Sequence, residues 1–474
     1  MNVVVVGAGP AGLAAAGAAL AAGAEVTLVD ATTQLGGQFW RHMPDARPAA
    51  AESALHHRWS RFTTLRDRLE RHPRCRIRTG AQVWALDHVD GRPRLQLAIG
   101  AVDGPDRTME ILVPDALVLA TGAHDLTLPF PGWDLPGVVT GGAAQALAKA
   151  ERVAIGRRVV VAGAGPFLLP VAASLAATGA TVLSVHEAAG RRQLAAGWAG
   201  ALPVLPAMAG KLGELAGYAR GQLRGRIPYR VGSGVIAAHG DDRVEAVTIA
   251  RLDAQWRPVP GTQRTVEADA LAVSHGFTPR LELALAAGCR LDAGRFVAVD
   301  ADQRTSAPGV LAAGEVTGIG GADAALAEGA VAGWIAAGGA AHDPRVARAR
   351  AAVRRYRRFA RALAAAHGPR PGWRDGLTDD TIVCRCEEVP YGRLRATATA
   401  TRTQSLRSLR LTTRAGLGPC QARICGRVVE ELLARSTGAI LDDAVSDWRP
   451  IVTPLRFGEL ARTPETIPTK GEST

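Results

Sequence analysis

Residues 157–187 (RRVVVAGAGPFLLPVAASLAATGATVLSVHE) can be laid on residues 1–31 without a gap. Gly163 then falls on Gly7, Gly165 on Gly9, Gly179 on Gly23 and His186 on Asp30. In the first copy a β-branched run, NVVVV at 2–6, enters a glycine turn, an alanine-rich stretch continues to about Ala22, and EVTLV follows at 25–29. The pattern reads as strand, helix, strand. Its recurrence predicts an α/β chain with two Rossmann-like dinucleotide-binding domains. A length of 474 residues has room for two or three domains, and 47% apolar against 21% charged residues is a globular balance.

Gly7-Ala8-Gly9-Pro10-Ala11-Gly12 directly follows the first strand. Gly7 permits the tight turn, Gly9 lets a pyrophosphate approach the backbone, and Gly12 lets helix and strand pack closely. Pro10 and Ala11 open the helix, whose unpaired N–H groups face the phosphates. Asp30, at the end of the second strand, is placed to accept hydrogen bonds from an adenosine ribose. The second copy departs from this pattern. Leu168 holds the third glycine position and His186 the acid's position, with Glu187 adjacent as a substitute. These changes point to a vestigial or repurposed nucleotide site rather than an NAD(P) site.

Val3 to Ala24 carries no charge, but glycines at 7, 9, 12, 17 and 23 fit a buried strand, turn and helix better than a membrane span. No basic n-region or small-residue cleavage site is present, so the expectation is a cytoplasmic protein. The net charge of +12 comes from arginine, since Lys149, Lys211 and Lys470 are the only lysines. No basic stripe interleaves with aromatics, which argues against nucleic acid. Asp343 to Ala366 reads as an arginine-rich surface helix, packed by an apolar seam of Val346, Ala349, Val353, Tyr356, Ala360 and Leu363. A helical stretch is expected around 208–224, and GPRPGW (368–373) reads as a linker.

Cys75 and Cys289 stand alone and suit small buried positions. Cys384 and Cys386 form C-x-C, and after 33 residues Cys420 and Cys425 form C-x4-C. Four thiolates suit a [2Fe-2S] cluster, two for each iron. Structural Zn(Cys)4 is the competing reading, although it more often uses two C-x2–4-C knuckles.

Several short motifs then carry resemblances. Leu35-Gly36-Gly37-Gln38, Ala120-Thr121-Gly122 and Ala313-Gly314-Glu315 resemble, in order, the GG, ATG and late Gly-Asp turns of flavoproteins with the glutathione- and thioredoxin-reductase architecture. The resemblance implies FAD at the first site, with Gly37, Gln38, Thr121, Gly122, Gly314 and Glu315 beside it. Glu315 stands where those proteins usually carry Asp. Their redox cysteine pair is missing from GGQFWRHMP (36–44), so dithiol chemistry is not expected. Val-Cys384-Arg-Cys386-Glu-Glu with Gly416-Leu-Gly418-Pro-Cys420-Gln-Ala-Arg-Ile-Cys425-Gly426 resembles the bacterioferritin-associated-ferredoxin type of cluster domain. That favours iron–sulfur over zinc, with Cys384, Cys386, Cys420 and Cys425 as ligands.

With Pro129-Phe-Pro-Gly-Trp133-Asp-Leu-Pro136-Gly137 added, residues 2 to about 460 resemble the larger FAD/[2Fe-2S] subunit of heteromeric amine dehydrogenases, the family of opine oxidases, D-hydroxyproline dehydrogenase and hydrogen cyanide synthase. The resemblance implies a D-amino-acid-oxidase-like partner that oxidises the C–N bond at its own flavin. In some members it also implies an FMN at the subunit interface and a small second iron–sulfur subunit. This chain would relay electrons onward through its cluster and FAD. The expected layout is 1–122 and 278–342 for the FAD domain, 123–277 for the second dinucleotide-type domain, 343–374 for the arginine-rich helix and linker, and 375–474 for a small helical [2Fe-2S] domain. An NAD(P)H-dependent ferredoxin- or nitrite-type reductase and a non-catalytic redox sensor are the rival readings. No His/Glu/Asp constellation identifies a substrate base.

Overall fold

A computed structural model describes residues 1–102, 104–201, 213, 217–218, 225–438, 448–449 and 451–462. Of the helix expected around 208–224, all but residues 213, 217 and 218 lies outside them. The chain divides into two compact units. Unit 1 comprises Met1–Ala123, Pro279–Arg357 and Trp448–Thr474, and unit 2 comprises His124–Thr278 and Arg358–Asp447.

Unit 1 is built on a five-stranded parallel sheet in the order Val310–Ala312, Ala116–Leu119, Asn2–Val6, Glu25–Val29, Cys75–Arg78. Val3, Val4 and Val5 are fully buried, as a strand covered on both faces requires. Helix Pro10–Ala21 starts immediately after the first strand's turn, with proline in its first turn and Gly9 as its cap. A three-stranded antiparallel layer, Ala81–Val89, Arg92–Ile99 and Thr108–Leu112, completes the unit's sheets.

Residues 448–462 belong to this unit rather than with the cysteine-bearing segment, which differs from the 375–474 boundary read from sequence. Two contacts explain the difference. Val452 donates its amide to Trp84 O at 2.7 Å, and Arg107 Nε donates to Glu459 Oε1 at 2.8 Å. The Arg107 and Glu459 side chains are only 2% and 1% exposed.

Unit 2 repeats the plan. Its parallel sheet runs Tyr229–Val231, Thr181–Glu187, Arg158–Gly163, Ala270–Ser274, Val138–Thr140, and its antiparallel layer is Ser233–His239, Ala246–Arg251, Arg264–Glu267. The cysteine-bearing segment belongs to this unit. It has a short hairpin, Ile382–Cys384 with Val389–Pro390, and helices Tyr391–Thr401, Leu406–Thr413 and Gly426–Thr437. Val383, Cys384, Cys425 and Val428 share one apolar core with Leu128, Ala188 and Trp256.

The arginine-rich helix spans Pro344–His367. Val346 and Val353 are buried as the seam predicts, but further on Phe359, Ala362 and Ala366 are buried in place of Ala360 and Leu363. A turn of 3.6 residues displaces a fixed three-and-four spacing, and Phe359 finds a ring partner in Trp198 at 5.3 Å. None of the described helices is long and apolar enough to cross a membrane.

Candidate functional site: two glycine cradles and four thiols

Around the first fingerprint the sequence-distant motifs meet. Gly7 has φ +103°, and a Cβ there would lie 2.2 Å from Ala120 O. A Cβ on Gly12 would lie 1.7 Å from Gly7 O, so helix and turn approach as only glycine permits. A Cβ on Gly37 would stand 2.8 Å from Gly9 Cα, and one on Gly314 would stand 2.8 Å from Ala11 Cβ. Residues 9–12, 37, 120–122 and 314 thus surround the N-terminus of helix Pro10–Ala21. Asp30 is partly exposed; its Oδ2 accepts from Ala8 N at 2.6 Å and its Oδ1 from Thr32 N at 2.8 Å. Thr121 Oγ1 donates to Arg280 O at 3.0 Å, and Arg280 N donates to Gly122 O at 3.0 Å, which fixes that turn. Gln38 is exposed at the rim, accepting from Arg41 at 3.2 Å, and Glu315 is half-buried.

Sequence reasoning missed Glu328. Its Oε2 accepts from Gly314 N at 2.9 Å and Thr317 Oγ1 at 2.8 Å, and its Oε1 from Arg357 Nε at 3.1 Å. Burial pushes its pKa up, and the Arg357 charge and these donors oppose the rise. A lone acid among the apolar residues of ALAEGAVAG (325–333) was the available signal.

The second cradle keeps Gly163 and Gly165 at positive φ, but its helix spans Leu168–Ala177. In the repeat's register that start lies two positions later than in unit 1, and Leu168 is fully buried in the core where Gly12 packs in the first copy. The gap-free alignment also misplaced the acid. Val159 pairs with Val182 but Val160 pairs with Ser184, so a register shift brings Glu187, not His186, opposite Gly163. Glu187 is therefore the counterpart of Asp30. His186 points elsewhere, bonded to Ser233 and Ser184 Oγ at 2.9 Å each. Burial, then the Arg230 and Arg264 charges, hold its pKa down at about 4. A small cavity of about 70 Å³ at the strands' carboxyl ends is lined by Phe130, Gly163, Trp256, His275 and Trp373 among others. His275 Nδ1 is buried without a hydrogen-bond partner among the described residues.

The four predicted ligands are all free thiols, Cys384 and Cys425 buried, Cys420 half-buried and Cys386 exposed. They stand as two pairs, Cys384 with Cys425 and Cys386 with Cys420. The Cys425 hydrogen bond, then the Gly416, Glu387 and Cys386 amides, bring the Cys384 thiol down to about 6 against the effect of burial. Its partner Cys425 is pushed up by the same bond. Gly416 N lies 3.3 Å from Cys384 Sγ, and a Cβ on Gly418 would sit 2.5 Å from Cys386 Cβ. Gln421 and Ala422, between Cys420 and Cys425, hold φ of 53° and 65°. Left-handed backbone at ordinary residues costs roughly 1–3 kcal/mol each and persists where a site demands it. Among the described residues no group of three or more His, Cys, Asp or Glu side chains is gathered to hold a single metal ion. Four thiols in two pairs, with an amide on one sulfur and a glycine clearing space beside another, fit a two-iron cluster.

Two family models match the chain, Pyridine nucleotide-disulphide oxidoreductase over residues 1–331 and BFD-like [2Fe-2S] binding domain over residues 382–435. An opine oxidase subunit of Rhizobium meliloti is 32% identical, with 98% of this chain and 88% of that protein covered. Hydrogen cyanide synthase subunit HcnB of Pseudomonas aeruginosa is 32% identical over 92% of this chain and 93% of its own length. In fold the chain resembles L-proline dehydrogenase from P. horikoshii, with TM-score 0.66, 20% identity, and 98% and 79% of the two chains covered. Thioredoxin reductase of T. acidophilum shares the fold at TM-score 0.52 and 22% identity, over 71% of this chain and 97% of that one. The chain belongs to the pyridine nucleotide-disulphide oxidoreductases and, within them, to the FAD- and [2Fe-2S]-binding larger subunits grouped with those of opine oxidase and hydrogen cyanide synthase.

Proposed function

We propose that this chain is the electron-transferring subunit of a heteromeric amine dehydrogenase. A D-amino-acid-oxidase-like partner would oxidise the C–N bond of an opine, hydroxyproline or similar amino acid, and this chain would carry the electrons to an acceptor. FAD would be held by Gly7, Gly9, Pro10, Ala11 and Gly12, with Asp30 on the adenosine ribose. Gly37, Gln38, Thr121 and Gly122 would line its path, and Gly314 and Glu315 would face its far end. Cys384, Cys386, Cys420 and Cys425 would hold the cluster. When bound, the flavin supplies a carrier able to exchange electrons in pairs or singly, and the cluster a one-electron carrier.

The observation that carries the reading is the coexistence of a complete cofactor cradle in unit 1 with an acid at the second cradle that has no exposed surface. A reductase fed by NADH needs that second acid open to a ribose. The two named relatives are themselves subunits, which supports a separate substrate-oxidising chain. Co-expression with a D-amino-acid-oxidase-like candidate partner tests the proposal. The expected result is a stable complex that reduces a dye with an opine, glycine or hydroxyproline as donor, whereas neither chain alone does so. Amine-dependent dye reduction by the partner alone, unchanged when this chain is added, contradicts it.

A further inference from the structure

The two parallel sheets each end in a carboxylate beside a glycine turn, and the two carboxylates have different surroundings. Asp30 reaches the surface. Glu187 has no exposed surface, and both its oxygens are engaged. Oε1 accepts from Ala189 N at 2.9 Å, and Oε2 accepts from Gly165 N at 2.8 Å and Tyr229 OH at 3.4 Å. His367 Nδ1 lies 3.1 Å from the same Oε2. Trp198 Nε1 donates to His367 Nε2 at 3.2 Å, so the imidazole's own proton sits on Nδ1, directed at Glu187. An adenosine ribose presents its hydroxyls to the acid at this position in a dinucleotide fold. In unit 2 those lone pairs are taken by an imidazole and a phenol of the same chain.

We infer that His367 is an internal ligand of the second dinucleotide fold: it takes the ribose's place on Glu187, closes that cradle to adenine dinucleotides, and pins the segment leading to the cluster cysteines. His367 is the last residue of its helix, and everything after it leads toward Cys384. The helix end is seated tightly, since a Cβ on Gly197 would lie 2.3 Å from Ala366 Cα. Gln193 Nε2 donates to Gly368 O at 3.2 Å, and Gly372 N donates to Gln255 O at 2.8 Å. Asp375 then bridges Arg257 at 2.8 Å and Arg435 at 2.9 Å. Beyond it Arg385, between the first two cysteines, donates to Asp134 O at 2.9 Å. The retracted helix start at Leu168 is independent of these contacts and has the same consequence, because it withdraws N–H groups from the phosphate position. The second repeat thereby serves as a mounting for the cluster segment.

The test uses the full-length chain loaded with FAD and cluster, with ADP-ribose as the probe, measured by equilibrium dialysis on wild type and His367→Ala. The wild type is expected to show no saturable uptake. His367→Ala is expected to bind one equivalent at least about tenfold more tightly, a gain of about 1.4 kcal/mol. It should also be cut by trypsin at Arg374 more than about tenfold faster at unchanged flavin content, the same free-energy scale read as local opening. Stoichiometric uptake by the wild type overturns the inference, as does a His367→Ala protein that binds no better than wild type. Should His367→Ala lose its fold, Trp198→Phe removes only the indole donor that fixes the imidazole. It is expected to gain partial uptake, and no gain in that folded variant overturns the inference equally.

Discussion

Gly314 donates its amide to Glu328 at 2.9 Å, which ties the turn expected at the flavin's far end to a carboxylate fourteen residues on in the following helix. The same oxygen holds Thr317, and Arg357 holds the other, so one acid sets the shape of the turn. Glu328→Ala would leave Arg357 and two donors without this partner. Glu328 is buried but Arg357 is 36% exposed, so the cost is that of the stranded donors, about 1–3 kcal/mol. The expected outcome is reduced FAD per chain and a lower melting temperature. Glu328→Gln, which keeps the shape, should retain more flavin. Flavin absorbance against protein concentration measures both.

Cys384→Ser and Cys425→Ser should each remove the cluster while leaving flavin content unchanged, because the cradle of unit 1 is built from other residues. Cys75→Ser and Cys289→Ser should alter neither cofactor. Burial pushes both of those thiols up, Cys75 to about 11, away from the thiolate form a ligand needs. Iron and acid-labile sulfide analysis of the four variants decides the matter.

His186 has its pKa held at about 4, well below the ordinary imidazole value, chiefly by burial. The unfolded chain takes up a proton near pH 6.5 that the folded chain refuses until about pH 4. The contribution is therefore fully present above about pH 6.5 and is lost as pH falls through that window. Its size is on the order of 3 kcal/mol. Urea unfolding at intervals from neutral to mildly acidic pH should show the slope, and His186→Gln should flatten it.

Glu459 behaves in the opposite sense to a buried acid without a partner. The Arg107 hydrogen bond, then the Arg456 amide, hold its pKa at about 2. Stability from this pair is present above the ordinary glutamate value near pH 4.3 and is lost as pH falls toward 2. Glu459→Gln should free residues 448–462 at neutral pH. Hydrogen exchange of Val452 N–H, which bonds Trp84 O at 2.7 Å, should rise more than tenfold, about 1.4 kcal/mol or more of local stability.

What the sequence made legible was local. Gly7, Gly9 and Gly12 sit within one turn and Asp30 one strand later, so spacing alone carries their geometry. Cys384-x-Cys386 and Cys420-x4-Cys425 were each legible as local motifs, but the pairing of Cys384 with Cys425 and Cys386 with Cys420 across them was not. What escaped depends on how strands register and which elements meet. The single-residue shift between Val159 and Val160 exchanged His186 for Glu187 as the cradle's acid. No periodicity foretells such a bulge, because every residue from Val182 to Glu187 suits a strand. Glu328 and His367 act across 14 and 180 positions of sequence, and their partners are set only by packing.

The most direct measurement is an anaerobic absorbance titration of the FAD- and cluster-loaded chain, alone and with the oxidase-like partner proposed for it. The expected result is that NADH and NADPH leave the flavin and cluster bands unchanged in both samples, and that an amine donor bleaches this chain's cluster band only when the partner is present. Rapid bleaching of the isolated chain by NADH or NADPH would contradict the account and identify a self-sufficient reductase.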